Sequence, residues 1–160
     1  SFTDAKWLRG FLKYYYLALK GIAKYRLVPS IITIDDLDPI KLKLLIMAAG
    51  FGSRFGAGFN VFPDNYHFMK DFAIVYVGDV RKLYQLYLLN VLKPGKHIGK
   101  KGVHMLRGLN VKVETEKPVP VEVEGEIVSF GTKNIEFKIA PKPMRTIVPQ
   151  ELLDLQKAES

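Results

Sequence analysis

Val111-Lys112-Val113-Glu114, then Val119-Pro120-Val121-Glu122-Val123-Glu124, then Gly125, then Glu126-Ile127-Val128 and finally Ile135-Glu136-Phe137-Lys138-Ile139 is the stretch that decides the fold. Apolar residues recur on the odd positions and polar ones on the even positions, the period of strands with one buried and one wet face. Gly125 interrupts the run where the chain must reverse, because glycine takes up positive φ without a Cβ clash. In an unbroken strand Glu122, Glu124 and Glu126 would share the outer face. A turn at Gly125 instead lifts Glu126 to the rim of the sheet, and this carboxylate is the candidate for chemistry.

Working outward toward the N-terminus, Val103 to Leu106 opens this strand set. Lys96-His97-Ile98-Gly99-Lys100-Lys101 precedes it and reads as a mobile, solvated basic segment able to meet a phosphate. Before that, Val80, Leu83, Leu86, Tyr87 and Val91 predict the apolar side of a helix. Asp79 is its expected cap and Pro94-Gly95 its end. Phe72 to Val77 and Leu42 to Ala49 are continuous apolar runs, hence buried strands. Leu27 to Ile34 is a further strand, joined to the next by the turn-forming Asp35-Asp36-Leu37-Asp38-Pro39. Residues 4 to 25 predict an amphipathic helix capped by Thr3. Leu8, Leu12, Tyr15, Leu19 and Ile22 line one face, and Lys6, Lys13, Lys20 and Lys24 line the other. Toward the C-terminus, Pro141, Pro143 and Pro149 mark the end of the sheet, and Glu151 to Lys157 reads as a short helix. The expected fold is mainly β with flanking helices, an antiparallel β-sandwich.

Between two predicted strands lies Gly50-Phe51-Gly52-Ser53-Arg54-Phe55-Gly56-Ala57-Gly58. A glycine-rich loop after a strand invites a phosphate-binding reading, but the spacing refuses it. The third glycine falls one residue late for a dinucleotide fingerprint, and no Lys-Ser/Thr pair follows. Phe59-Asn60-Val61-Phe62-Pro63 does not start a helix. The segment reads instead as a loop whose backbone passes close to another strand or to a ligand.

The 160 residues suit one domain. With no cysteine, disulfides and thiolate metal sites are excluded. His67, His97 and His104 lack zinc-site spacing, so no metal is expected. No apolar run is long enough to span a bilayer. The 24 Lys and Arg against 16 Asp and Glu leave a charge of +8, which favours anionic partners such as a lipid surface, nucleic acid or a phosphorylated ligand. Nucleic acid is disfavoured, because the aromatics track buried faces instead of lying among exposed cations. The expected location is the cytoplasm, with a peripheral membrane contact compatible with the basic balance.

Taken together, four features resemble the C-terminal domain of the diacylglycerol kinase and sphingosine kinase superfamily of lipid kinases. Gly52 to Pro63 followed by Asp64 is similar to its Gly-x-x-x-Gly-Gly-Gly-x-x-x-x-Pro-Asp run. Glu122-Val123-Glu124-Gly125-Glu126 resembles its Val-Asp-Gly-Glu turn. Lys93-Pro94-Gly95-Lys96-His97 matches a connector after a helix, and Pro141 with Arg145-Thr146-Ile147-Val148-Pro149 resembles the closing strand. The resemblance implies a lipid substrate and gives Glu126 the place of the base that takes the lipid hydroxyl's proton. It also implies ATP and Mg, held by a nucleotide-binding domain through a Gly-Gly-Asp-Gly-Thr motif. That motif does not occur in these residues. All of 1–160 therefore reads as a single C-terminal-type domain, with the nucleotide-binding domain outside this chain and no cofactor predicted on it. The family's metal-binding Asp-Asp-Gly loop is replaced by Phe68-Met69-Lys70-Asp71-Phe72, where Lys70 brings a positive charge and no metal is predicted. The alternative is a non-catalytic basic module that binds an anionic membrane surface or a protein partner.

Overall fold

In a computed structural model, the residues described are 20, 21, 24–55, 58–63, 65, 70–140 and 150. Of the predicted helix over 4–25 only residues 20, 21, 24 and 25 are described, the first three helical and Tyr25 not; the rest lies outside them, as do the closing strand 145–149, the helix 151–157, Asp64 and His67.

Six strands form one antiparallel sheet: β1 (Val28–Ile34), β2 (Ile40–Gly50), β3 (Phe72–Gly78), β4 (Val103–Gly108), β5 (Asn110–Val123) and β6 (Glu126–Lys138). Their order is β4-β3-β2-β1-β5-β6. The mainly antiparallel β architecture expected from the alternation is the one found. Strand β3 lies inside the sheet and is buried on both faces, which is why its sequence is apolar without a break. Ala73, Val75 and Val77 enter a core with Phe62, Val80, Leu88 and Val103. Ile74 and Tyr76 enter a second core on the opposite face with Ile32, Ile34, Val111 and Val113. Each fully buried Ile or Phe contributes about 1.5–3 kcal/mol relative to an exposed one.

The helix α1 (Lys82–Leu92) corrects two expectations. Its N-cap is Arg81 and no side chain caps it. Asp79 stands at φ 53, in the left-handed region that Asp tolerates. Its Oδ1 accepts from the Lys43 amide at 3.3 Å, and its own amide donates to Lys43 O at 3.0 Å. Asp79 thus clamps β2 beside the irregularity between Leu44 and Ile46. The buried helix face also differs in part: Val80 and Val91 meet the core as expected, but Leu83 and Tyr87 do not. Gln85 and Leu88 are buried, with Tyr84, Val91 and Leu92 packed against the core, whereas Leu83 is 83% exposed. Apolar residues surround this helix, so their spacing alone does not select a face.

The segment 96–101 is not a solvated loop throughout. His97 is only 2% exposed, and its Nε2 lies 3.0 Å from Val61 O. The helix end is thereby lashed to the glycine-rich segment, an attachment repeated where the Asn60 amide donates to Lys93 O at 3.3 Å.

Candidate functional site

Strands β5 and β6 outrun the sheet. Pairing between β1 and β5 runs from Ile34↔Val111 to Ser30↔Thr115. Beyond that register β5 and β6 continue as a two-stranded ribbon ending at Val123↔Glu126. The eight steps from Thr115 to Val123 carry the tip roughly 25 Å past the last β1 contact. An irregular register between Glu114 and Val119 marks the departure. Pro118 has no amide to give the ladder there, and the Thr115 hydroxyl donates to Lys117 O at 2.8 Å.

At the tip, Glu124 at φ 51 and Gly125 at φ 85 make the two-residue turn that a right-twisted hairpin prefers. Glu126 sits directly opposite Val123. Residues paired across a hairpin share a face, so Glu126 lies on the face of Val123 and Val121, opposite to that of Glu122. The carboxylate is exposed, and no hydrogen bond or ion pair engages it among the described residues. Around it Val123, Ile127 and Val128 are also exposed, and Phe130 is 85% exposed. On its own face the acid stands beside the uncovered Val123 and Val128, while Ile127, paired with Glu122, is uncovered on the other face.

The described flanks of the glycine-rich segment pair with each other. Phe55 and Phe59 exchange backbone hydrogen bonds at 2.9 and 3.0 Å, and the Phe62 amide donates to Ser53 O at 3.1 Å. Asn65, which is buried, donates from Nδ2 to Phe51 O at 2.7 Å and accepts from Arg107 Nη1 at 2.8 Å. Arg107 also forks onto Asp71, with Nε 2.8 Å from Oδ1 and Nη2 paired to the same oxygen. The guanidinium's hydrogen bonds hold the Asp71 carboxyl below its ordinary range. A cation from β4 thus neutralises the carboxylate that precedes β3. Sequence reading missed this pair because Arg107 is 36 residues away and no local pattern announces it. Among the described residues no cluster of three or more His, Asp or Glu could hold a metal ion.

A model of the YegS C-terminal NAD kinase beta sandwich-like domain matches residues 2–148. The chain belongs to that family. Solved structures agree on the fold. A putative diacylglycerol kinase from Bacillus anthracis str. Sterne superposes with a TM-score of 0.56 at 16% identity, over 75% of this chain and 41% of that one. A second structure described as a putative diacylglycerol kinase from that organism gives 0.56 at 16%, over 79% and 42%. Another, described as one of its diacylglycerol kinases, gives 0.50 at 13%, over 76% and 44%. The resemblance to the lipid kinase C-terminal domain, read first from the glycine-rich run and the Glu-Gly-Glu turn, is thereby borne out. This chain spans less than half the length of those similar structures. Comparison with curated proteins finds no match. No helix among the described residues is long and apolar enough to cross a membrane.

Proposed function

We propose that this chain is the lipid-binding half of an ATP-dependent lipid kinase of the diacylglycerol and sphingosine kinase kind, and that Glu126 is the base for its alcohol substrate. The observation that carries the reading is the pairing of Glu126 with Val123 on the apolar face of a projecting hairpin. A lipid alcohol presents alkyl chain beside hydroxyl, and this tip offers Val121, Val123 and Val128 beside a carboxylate. In-line phosphoryl transfer needs an oriented hydroxyl and a proton acceptor within hydrogen-bond reach. Glu126 would accept that proton while the neighbouring valines fix the chain. The residues described here do not fit ATP or Mg. No Gly-Gly-Asp-Gly-Thr run occurs, and among the described residues no cluster of three or more His, Asp or Glu could hold a metal ion. We assign the nucleotide and its metal to a nucleotide-binding domain outside this chain, and 1–160 to a single C-terminal-type domain.

The test combines this chain with a nucleotide-binding domain of the family and follows radiolabel transfer from ATP to diacylglycerol in mixed micelles. Glu126→Gln should lower turnover by about a hundredfold or more, the usual worth of a general base. It should also leave unchanged the amide shifts that short-chain diacylglycerol induces at Val121 and Ile127. Undiminished transfer by the variant removes Glu126 from the mechanism. No lipid-induced shift at the hairpin removes the lipid-binding reading. The rival, a non-catalytic basic module on an anionic membrane, draws support from the +8 charge. It is weakened by Glu122, Glu124 and Glu126 at the apolar tip, where an anionic surface would be repelled. Flotation with acidic liposomes across a salt series separates the two.

A further inference from the structure

Strand β2 begins before its neighbour ends. It pairs with β1 from Ile32↔Ile40, but with β3 only from Leu44↔Gly78. Residues 40–43 therefore keep an edge that β3 does not cover, and the sheet has a notch there. Asp79 closes its inner end by exchanging hydrogen bonds with Lys43. Along a strand, amides two residues apart point the same way. Since the Lys43 amide faces Asp79, the Lys41 amide faces the open part of the notch.

Two glycines shape the floor. A Cβ on Gly78 would lie 2.4 Å from Leu42 Cδ1, and one on Gly102 would lie 2.5 Å from Gly78 O. No other residue lets these three segments approach so closely, and Gly102 also holds φ +71. The resulting groove of about 260 Å³ is lined by Lys41, Lys101, His104 and Tyr76, with Ile40 and Leu42 as its apolar border. The His104 ring stacks on the Tyr76 ring at 4.9 Å and 15°. Asp79 is the one carboxylate lining the groove, and the Lys43 amide already engages it.

We propose that this notch binds a phosphomonoester. Two lysines, a strand-edge amide, an imidazole and a phenol line one small volume open at the strand edge, a donor set suited to a phosphate's several acceptor oxygens. Ile40 and Leu42 offer apolar surface for the carbon bonded to the phosphate oxygen. The site is separate from the hairpin tip. Lys41 is level with Ile31, and Ile31 with Glu114, whereas Glu126 is level with Val123. Nine residues along the strand direction put roughly 30 Å between them. The notch does not depend on the kinase reading, and it serves a soluble phosphomonoester or a phosphorylated lipid headgroup by the same chemistry.

The experiment titrates the 160-residue chain with inorganic phosphate and with glycerol 3-phosphate, at ionic strength held constant with chloride, and follows amide shifts. Saturable shifts should appear at Lys41, Gly102 and His104. The Lys41→Gln/Lys101→Gln double variant should bind about tenfold more weakly, as loss of two exposed cations implies. Lys133→Gln, on the ribbon, should bind as the native chain does. A parallel arm uses phosphatidylcholine vesicles with and without phosphatidic acid. Vesicle binding lost in the double variant identifies a headgroup as the source, and phosphate shifts without vesicle binding identify a soluble ligand; either supports the site. Shifts that fail to saturate, that chloride reproduces, or that survive the double substitution overturn it. Spectra unchanged away from the notch verify that the variant is folded.

Discussion

Substituting His97 tests how the glycine-rich segment is held. Its ring is 2% exposed, and the partner of Nε2 is a carbonyl, Val61 O at 3.0 Å. A carbonyl only accepts, so Nε2 carries the proton and Nδ1 is bare, buried and without a partner. Burial pushes the imidazole's pKa below its ordinary value of 6.5, with the Val61 hydrogen bond acting the other way. The unfolded chain therefore binds a proton that the folded chain resists. His97 supplies stability in full above about pH 6.5, and that contribution is lost as the pH falls through the unfolded value toward the folded one. The slope is at most about 1.4 kcal/mol per pH unit. His97→Leu keeps much of the bulk but strands the Val61 carbonyl, at a cost of about 1–3 kcal/mol near pH 7.5.

Urea unfolding at pH 7.5, 6.5 and 5.5 reads both effects, provided the m-values of native chain and variant agree. Acid weakens both proteins through their carboxylates, so the informative quantity is the difference between them. It should narrow as the pH falls, because only the native chain has this imidazole to protonate. A difference that stays constant from pH 7.5 to 5.5 refutes the reasoning, since His97 would then titrate alike folded and unfolded. His97→Gln, able to donate to the same carbonyl, should retain more stability than His97→Leu, and its difference from Leu, unlike that of the native chain, should not change with pH.

Asp35 accepts from the Leu109 amide at 3.0 Å and the Asn110 amide at 2.7 Å, and it stands at φ 48. Asp35→Ala should cost about 2–4 kcal/mol in urea unfolding, and Asp35→Asn about 1, since Asn keeps an acceptor and tolerates that φ. Gly102→Ala adds a Cβ 2.5 Å from a backbone oxygen at positive φ, so it should cost about 2 kcal/mol or more and lower the thermal midpoint. Arg107→Ala strands the Asp71 carboxylate and Asn65 Oδ1. Hydrogen exchange should then quicken at Phe51, Asn65 and Phe72 while β5 and β6 stay protected.

The strands were legible because each has a single reason to be a strand. Alternation placed β5 and β6, and apolar runs placed β2 and β3; β3 is buried as expected, whereas in β2 only Leu44 is buried and Ile46 is 61% exposed. Gly125 announced its turn because a two-residue hairpin needs positive φ there, and Glu126 at its edge followed from the same reasoning. What escaped was set by distant partners. Asp79 looks like a helix cap, yet its acceptor serves Lys43 of β2. His97 sits among lysines and glycines, which read as a solvated loop, but a carbonyl from the glycine-rich segment draws it inward. For α1, Leu83 and Leu88 are equally apolar in sequence, and only the packing of Val75 and Val77 decides which one is buried.

The ribbon poses the sharper physical question. A two-stranded hairpin alone is marginal in water, and its stability comes from covering one face. In the part paired to β1 that condition is met, since Val111, Val113 and Thr115 are buried. Past Thr115 it is not met: Val123 and Val128 stand exposed on the face of Glu126, and Ile127, paired with Glu122, stands exposed on the other. At about 25 cal/mol per Å² of apolar surface removed from water, covering these side chains would contribute several kcal/mol. That gain would accrue only while something occupies the face, so the ribbon should stiffen on contact with its ligand. Alkyl chains satisfy the requirement and set a hydroxyl beside the lone carboxylate of that face. A water-soluble substrate would leave the valines of that face uncovered. The lipid reading of Glu126 and the order of the ribbon therefore rise or fall together: if short-chain diacylglycerol leaves amide exchange from Val119 to Phe130 unchanged, the hairpin is not where the lipid binds.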